Sequence, residues 1–83
     1  MEVWLSDEAG DEFDALPGAV QERVIALTVR LADWPQVSGV KWLAGAWKNH
    51  ARIRTGDYRV IFHLERDGIV IDRIAHRRDA YGE

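Results

Sequence analysis

The sequence predicts an α+β domain spanning residues 1–83: an N-terminal strand, a two-helix hairpin, then a three-stranded antiparallel meander, with all strands in one twisted sheet (β-α-α-β-β-β). Three observations lead there. A short alternating segment, Glu2 to Ser6, opens the chain; an apolar stripe at helical spacing follows; and three runs rich in β-branched residues, separated by glycine turns, fill the second half.

The elements can be justified in order. Val3 and Leu5 alternate with Trp4, as in a strand with two different faces. Ser6 followed by Asp7 and Glu8 marks a helix start, because the hydroxyl caps free amides and the acids suit the positive end of the helix dipole. That helix runs to Leu16, with Ala9, Phe13 and Leu16 on one side, and Pro17-Gly18 interrupts it. Val20, Val24, Leu27, Leu31 and Trp34 then repeat at intervals of four, three, four and three, an amphipathic helix that Trp34-Pro35 should end, since proline disfavours helical geometry in the residue before it. Residues 35–50 carry few periodic signals. Strands follow at Ala51 to Arg54, Tyr58 to Glu65 and Ile69 to Ala75; Thr55-Gly56-Asp57 joins the first two, and Asp67-Gly68, two positions tolerant of positive φ, signals the second hairpin.

Composition narrows the function. Without cysteine there is no disulfide framework, thiolate zinc site or thiol nucleophile, which fits a reducing cytoplasm. Apolar runs too short to span a bilayer, and Glu2 where a basic signal region would begin, suggest a cytoplasmic chain with no membrane partner. The net charge of −3 is unevenly spread. Residues 1–38 hold eight acids against Arg23 and Arg30, a balance of −6, whereas residues 39–83 hold nine basic residues against six acids, a balance of +3. Binding responds to the field at one face more than to the total, so the second half is where an anionic partner would dock. Arg52, Arg54, Arg59, Arg73, Arg77 and Arg78 recur there among strand-like residues and suggest guanidinium groups presented to phosphate.

Alternation sharpens this. With Tyr58, Val60, Phe62 and Leu64 facing the helices, Arg59, Ile61, His63 and Glu65 take the other face, and Arg52 and Arg54 share one face of their own strand. These arginines either bind phosphate or pair with Glu65, Asp57 or Asp72 in a solvated charged face. Lys41 and Lys48 are the lysines of the same basic half. The four tryptophans are better explained by core or partner-interface packing than by base stacking. His50 and His63 have no metal-ligand spacing, so neither metal nor cofactor is expected.

Several segments together carry a family resemblance: Leu16-Pro17, Pro35, Val40-Lys41-Trp42-Leu43-Ala44-Gly45, the run Arg52 to Phe62 containing Gly56-Asp57-Tyr58-Arg59, and His76-Arg77-Arg78-Asp79-Ala80-Tyr81. Over nearly its whole length the chain resembles the RelE/ParE toxin superfamily of bacterial toxin-antitoxin systems. The resemblance implies a helical hairpin on a twisted antiparallel sheet and a cognate antitoxin as partner. RelE-like members cut messenger RNA in the ribosomal decoding site and ParE-like members inhibit DNA gyrase without being nucleases; the terminal His-Arg-Arg-Asp-Ala-Tyr run resembles the RelE-like side, and the acidic N-terminal half keeps open a catalytically inactive antitoxin-binding module with the same fold. On that side the partner is the ribosome with bound mRNA. Metal-free cleavage through the substrate's 2′-hydroxyl needs proton transfer and cations around the phosphorane. The resemblance accordingly implies Arg59, His76, Arg77 and Tyr81 as catalytic residues and Lys48, Arg52, Arg54 and Arg78 as RNA contacts. His76 is alternatively a hydrogen-bonded histidine at a strand end, and Tyr81 a residue packing the terminus.

Overall fold

The computed structural model describes residues 1–79. Tyr81, one of the expected site residues, lies outside the described residues. Five strands form one sheet in the order β1-β5-β4-β3-β2: β1 (Glu2–Leu5), β2 (Lys41–Trp42), β3 (Ala51–Thr55), β4 (Tyr58–Glu65) and β5 (Gly68–His76). The helices α1 (Asp7–Asp14) and α2 (Gly18–Leu31) lie between β1 and β2 in the chain. The expected α+β order and meander are present, with two additions. A two-residue strand, β2, pairs antiparallel with β3, and β1 pairs parallel with β5, so the sheet is mixed. A parallel partner is open to β1 because the helices carry the chain back across the sheet before β5 is laid down.

Ser6 caps α1 as expected: its hydroxyl oxygen accepts from the Ala9 amide at 3.1 Å, and its O–H donates to the Asp72 carbonyl at 3.1 Å. The cap therefore also ties α1 to β5. The second helix ends at Leu31, a turn earlier than the Trp34-Pro35 boundary; the Ala32, Asp33 and Trp34 amides turn back onto the Thr28, Arg30 and Leu31 carbonyls. Trp34 still packs against the core, edge-on to Phe62 with ring centroids 5.8 Å apart.

The core lies between the helices and one sheet face. Ala9, Val24, Leu27 and Leu31 meet Ala51, Ile53, Val60, Phe62, Ile69, Ile71 and Ile74, all buried. Ile61 is also buried but belongs to the opposite face, where the register sets it between Arg52 and Arg73.

Both hairpins form, one with a shifted turn. Gly56 takes φ 58°, a left-handed conformation glycine enters freely, and opens the turn from β3 to β4. The second turn is Arg66-Asp67, and Gly68 is the first residue of β5, with no positive φ. Close approach explains the glycine: a Cβ there would lie 2.5 Å from the Glu2 carbonyl oxygen and 2.6 Å from the Trp4 ring.

Pairing between β4 and β5 shifts register once. Ile61 faces Arg73 while Phe62 faces Ile71, leaving Asp72 as an extra residue in β5. This β-bulge separates two neighbouring side chains. Asp72 meets His63 on the open face, and Arg73 meets Glu12 and Glu8 of α1. Among the described residues, no helix is long and apolar enough to cross a membrane.

Candidate functional site

The open face of the sheet carries the polar groups that sequence reasoning singled out. Ile53 and Val60 point into the core, so Arg52, Arg54 and Arg59 project from the other side. Arg54 and Arg59 are direct cross-strand partners, and Arg59 is also paired with the small, buried Ala75 of β5. Two guanidinium groups side by side can hold one phosphate between them. Arg54 is exposed; Arg52 and Arg59 are half-buried, with both Nε atoms shielded from solvent. Among the described residues this surface encloses no pocket. An open face suits an extended ligand better than a small one.

The carboxylates of the meander have partners of their own. Asp72 accepts from His63 at 2.6 Å, Glu65 lies 3.6 Å from the other nitrogen of His63, and Asp57 faces Arg77 at 3.8 Å. Arg73 is held by α1. It is bound to Glu12 at 3.1 Å and Glu8 at 3.2 Å, while Glu12 also accepts the Ile74 amide at 2.7 Å. Part of the acidic N-terminal half thus anchors the bulge through Arg73.

His76 ends β5 opposite Tyr58, their rings edge to face at 5.2 Å. By alternation from Ile74 and Val60 this pair sits on the helix side, so the pleat does not bring His76 to the face of Arg59. The Arg78 amide donates to His76 Nδ1 at 3.1 Å, which in the neutral ring leaves the proton on Nε2. Arg77 and Arg78 are exposed on a 3₁₀ turn, Arg77–Asp79, whose first amide donates to the Asp57 carbonyl at 2.7 Å. Lys48 is exposed at the end of another 3₁₀ turn, Gly45–Trp47.

A second polar group on the open face was not anticipated. His50, His63 and Asp72 converge from the segment before β3, from β4 and from β5, with the histidine ring centroids 5.3 Å apart. The Trp47 ring meets His50 edge-on at 5.1 Å, so this tryptophan borders the open face. Burial by itself would lower the pKa of His63, but the hydrogen bond and charge of Asp72, aided by Glu65, outweigh it and raise the pKa above its ordinary value. No spacing motif marks this trio. Alternation did assign His63 to the face of Arg59, and that was the one available signal.

The fold and sequence were compared with known proteins. The family model described as "ParE toxin of type II toxin-antitoxin system, parDE" matches residues 4–81. Solved structures with the same fold include the RelBE2 toxin-antitoxin complex of Mycobacterium tuberculosis (TM-score 0.77, 21% identity, covering 90% of this chain and 95% of that one). The archaeal RelE-RelB complex of Pyrococcus horikoshii OT3 aligns with TM-score 0.74 at 26% identity over 95% of this chain and 97% of the other. The isolated RelE toxin of E. coli aligns with TM-score 0.72 at 14% identity over 89% and 81%. No curated protein matches significantly.

Proposed function

The chain belongs to the ParE toxin family of type II toxin-antitoxin systems, and from that premise we propose that this toxin is a ribosome-dependent endoribonuclease that cuts translated mRNA and so stops translation. The observation that carries the reading is the opposition of Arg54 and Arg59 across β3 and β4, with Arg52 two residues away on the same face. Three guanidinium groups on one face are spaced to meet successive phosphates of an extended strand. Guanidinium groups also suit a phosphorane, because they stay charged and bind two oxygens at once.

In this mechanism Arg59 holds the scissile phosphate, and Arg52, Arg54, Lys48 and Arg78 hold flanking ones. The 2′-oxygen attacks phosphorus as its proton passes to solvent water, the bond to the 5′-oxygen breaks, and that oxygen takes up a proton. The products are a 2′,3′-cyclic phosphate and a 5′-hydroxyl. No metal is required. His76, whose Nε2 carries the proton in the neutral ring, supplies the leaving oxygen's proton. Arg77 steadies the charge and Tyr81 stacks on or orients the nucleotide. His76 is the last residue of β5 and Arg77 begins the turn after it, so both stand at the end of the sheet, where an RNA strand bound to Arg59 would leave the face.

A cognate antitoxin is the expected partner, as solved relatives are complexes of RelE and RelB proteins. Ile25 and Val29, one helical turn apart on α2 and 53% and 66% exposed, offer an apolar strip for an antitoxin helix.

Primer extension on a reporter mRNA in a bacterial cell-free extract tests the nuclease reading. Cuts confined to the translated message, lost in Arg59→Ala, support it; an intact message overturns it. The ParE heading of the matched family favours one second reading, DNA gyrase inhibition without nuclease activity. A supercoiling assay tests that reading.

A further inference from the structure

We propose that His50, His63 and Asp72 bind one divalent transition cation of the zinc class on the open face of the sheet. The three residues belong to separate segments, yet one potential ligand atom from each lies within 4.8 Å of the others. Two imidazoles and a carboxylate are a donor set for zinc and its neighbours, in contrast to the all-oxygen sets of magnesium and calcium.

Hydrogen bonding at His50 carries the argument furthest. Its Nδ1 lies 3.0 Å from the Lys48 carbonyl oxygen, which can only accept, so Nδ1 must carry a proton. In the neutral ring Nε2 is then a bare lone pair, and it faces Asp72 Oδ2 at 3.5 Å. A metal ion can take both atoms as ligands in place of the proton that otherwise joins them. The separation is also close to the roughly 3.4 Å edge of a tetrahedral site with metal-ligand bonds of about 2.1 Å.

Each histidine has an outer partner for its non-ligating nitrogen, the arrangement that orients metal-bound imidazoles. For His50 it is the Lys48 carbonyl, and for His63 it is Glu65, 3.6 Å from Nε2. The backbone delivering His50 is held at both ends, its amide donating to the Trp47 carbonyl at 3.0 Å and its carbonyl accepting the Leu43 amide at 2.9 Å. Asn49, at φ 68°, turns the chain to aim it. Ser6 holds the Asp72 carbonyl from the far side of the strand.

His50, His63 and Asp72 side chains are 26%, 28% and 22% exposed, which leaves one side open for a water as fourth ligand. When the cation enters, the proton shared by His63 Nδ1 and Asp72 passes to solvent. Both imidazole nitrogens and a carboxylate oxygen then donate to the metal. The 2.6 Å contact opens to the spacing of ligands on one ion. The bound charge would lie one cross-strand row from Arg52 and strengthen the positive face of an acidic chain.

The test uses untagged, full-length protein titrated with zinc chloride by calorimetry, with magnesium chloride in parallel. Expected are one zinc per chain, no response to magnesium, an intense visible spectrum with cobalt(II) typical of four-coordination, and an affinity at least about a hundredfold lower in His50→Ala. His50→Ala lies outside the regular strands, so circular dichroism should match the wild type; His63→Gln and Asp72→Asn extend the test where they fold. No saturable zinc binding by the wild type overturns the proposal. So does unchanged affinity in folded His50→Ala, or imidazole resonances of His50 and His63 that ignore zinc.

Discussion

The two faces of the sheet are built from the same strands, but they depend on register to different degrees. Toward the helices, Ile53, Val60, Phe62, Ile69, Ile71 and Ile74 make a continuous apolar layer. On the open side Arg52, Arg54, Arg59, His63 and Asp72 surround one large apolar residue, Ile61. An apolar layer tolerates small shifts because any neighbouring hydrocarbon will serve. A polar face does not, since each charge needs a particular partner at a particular distance. The bulge in β5 reconciles the two: Ile71 and Ile74 both reach the core, while Asp72 is directed to His63 and Arg73 to Glu12.

If the faces divide the labour, substitutions should separate stability from activity. The largest effect is expected on the helix side. Phe62→Ala removes a fully buried ring that also meets Trp34, and should cost about 3–5 kcal/mol in denaturant unfolding. A loss under about 1 kcal/mol would mean that the apolar layer is not the seat of stability. Arg59→Ala should do the converse. Cleavage of translated mRNA should fall by about a hundredfold or more, while the loss of stability stays well below that of Phe62→Ala, because Arg59 is only half-buried and outside the apolar layer. Equal damage to stability and activity would break the comparison.

How much of this was legible in the sequence follows the same division. The stripe Val20, Val24, Leu27 and Leu31, the Ser6 cap and the meander were readable because they depend on neighbours in sequence. The parallel pairing of β1 with β5 was not, since alternation identifies a strand without naming its partner. The shifted turn has the same cause: Gly68 answers to Trp4 and Glu2, which arrive from the far end of the chain. At the candidate site, alternation sufficed for Arg52, Arg54 and Arg59. It could not supply the engagement of Arg73 by α1, the position of His76 beside Tyr58, or the meeting of His50 with Asp72. Each of those rests on the bulge, on a strand end or on a loop, where the two-residue period no longer applies.

The seam between the faces can be tested at the bulge. Glu12→Ala removes the acceptor for the Ile74 amide and the partner of Arg73, and should cost about 1–3 kcal/mol by leaving half-buried donors unsatisfied. Cleavage should fall too, since Asp72 and the rows beside it would lose their fixed register. Gly68→Ala should cost a similar amount, about 1–3 kcal/mol, by forcing β1 from β5. It lies at the start of β5, at the opposite end of that strand from the residue paired with Arg59, and should leave the activity of the folded fraction intact. A bulge variant that loses stability but cleaves normally would show that the open face keeps its register without help from α1.

The smallest expected effect separates the faces by pH. His63 belongs to the open side, and its folded-state pKa lies above the ordinary 6.5 because Asp72 and Glu65 favour the imidazolium over the opposing cost of burial. A raised folded pKa means that the native state binds the proton more tightly than the unfolded chain. The stabilisation is therefore complete below about 6.5 and declines as pH rises through the folded value. Measured with a chelator present, the stability difference between wild type and His63→Gln should shrink as pH is raised across that window, whereas the deficit of Phe62→Ala should stay constant, because the residues beside that ring, Ala51, Ile71 and Trp34, do not titrate. A pH-independent difference for His63→Gln would mean that Asp72 and Glu65 do not hold the ring charged, and the distinction between a register-dependent polar face and a tolerant apolar one would then rest on Arg59 and Glu12 alone.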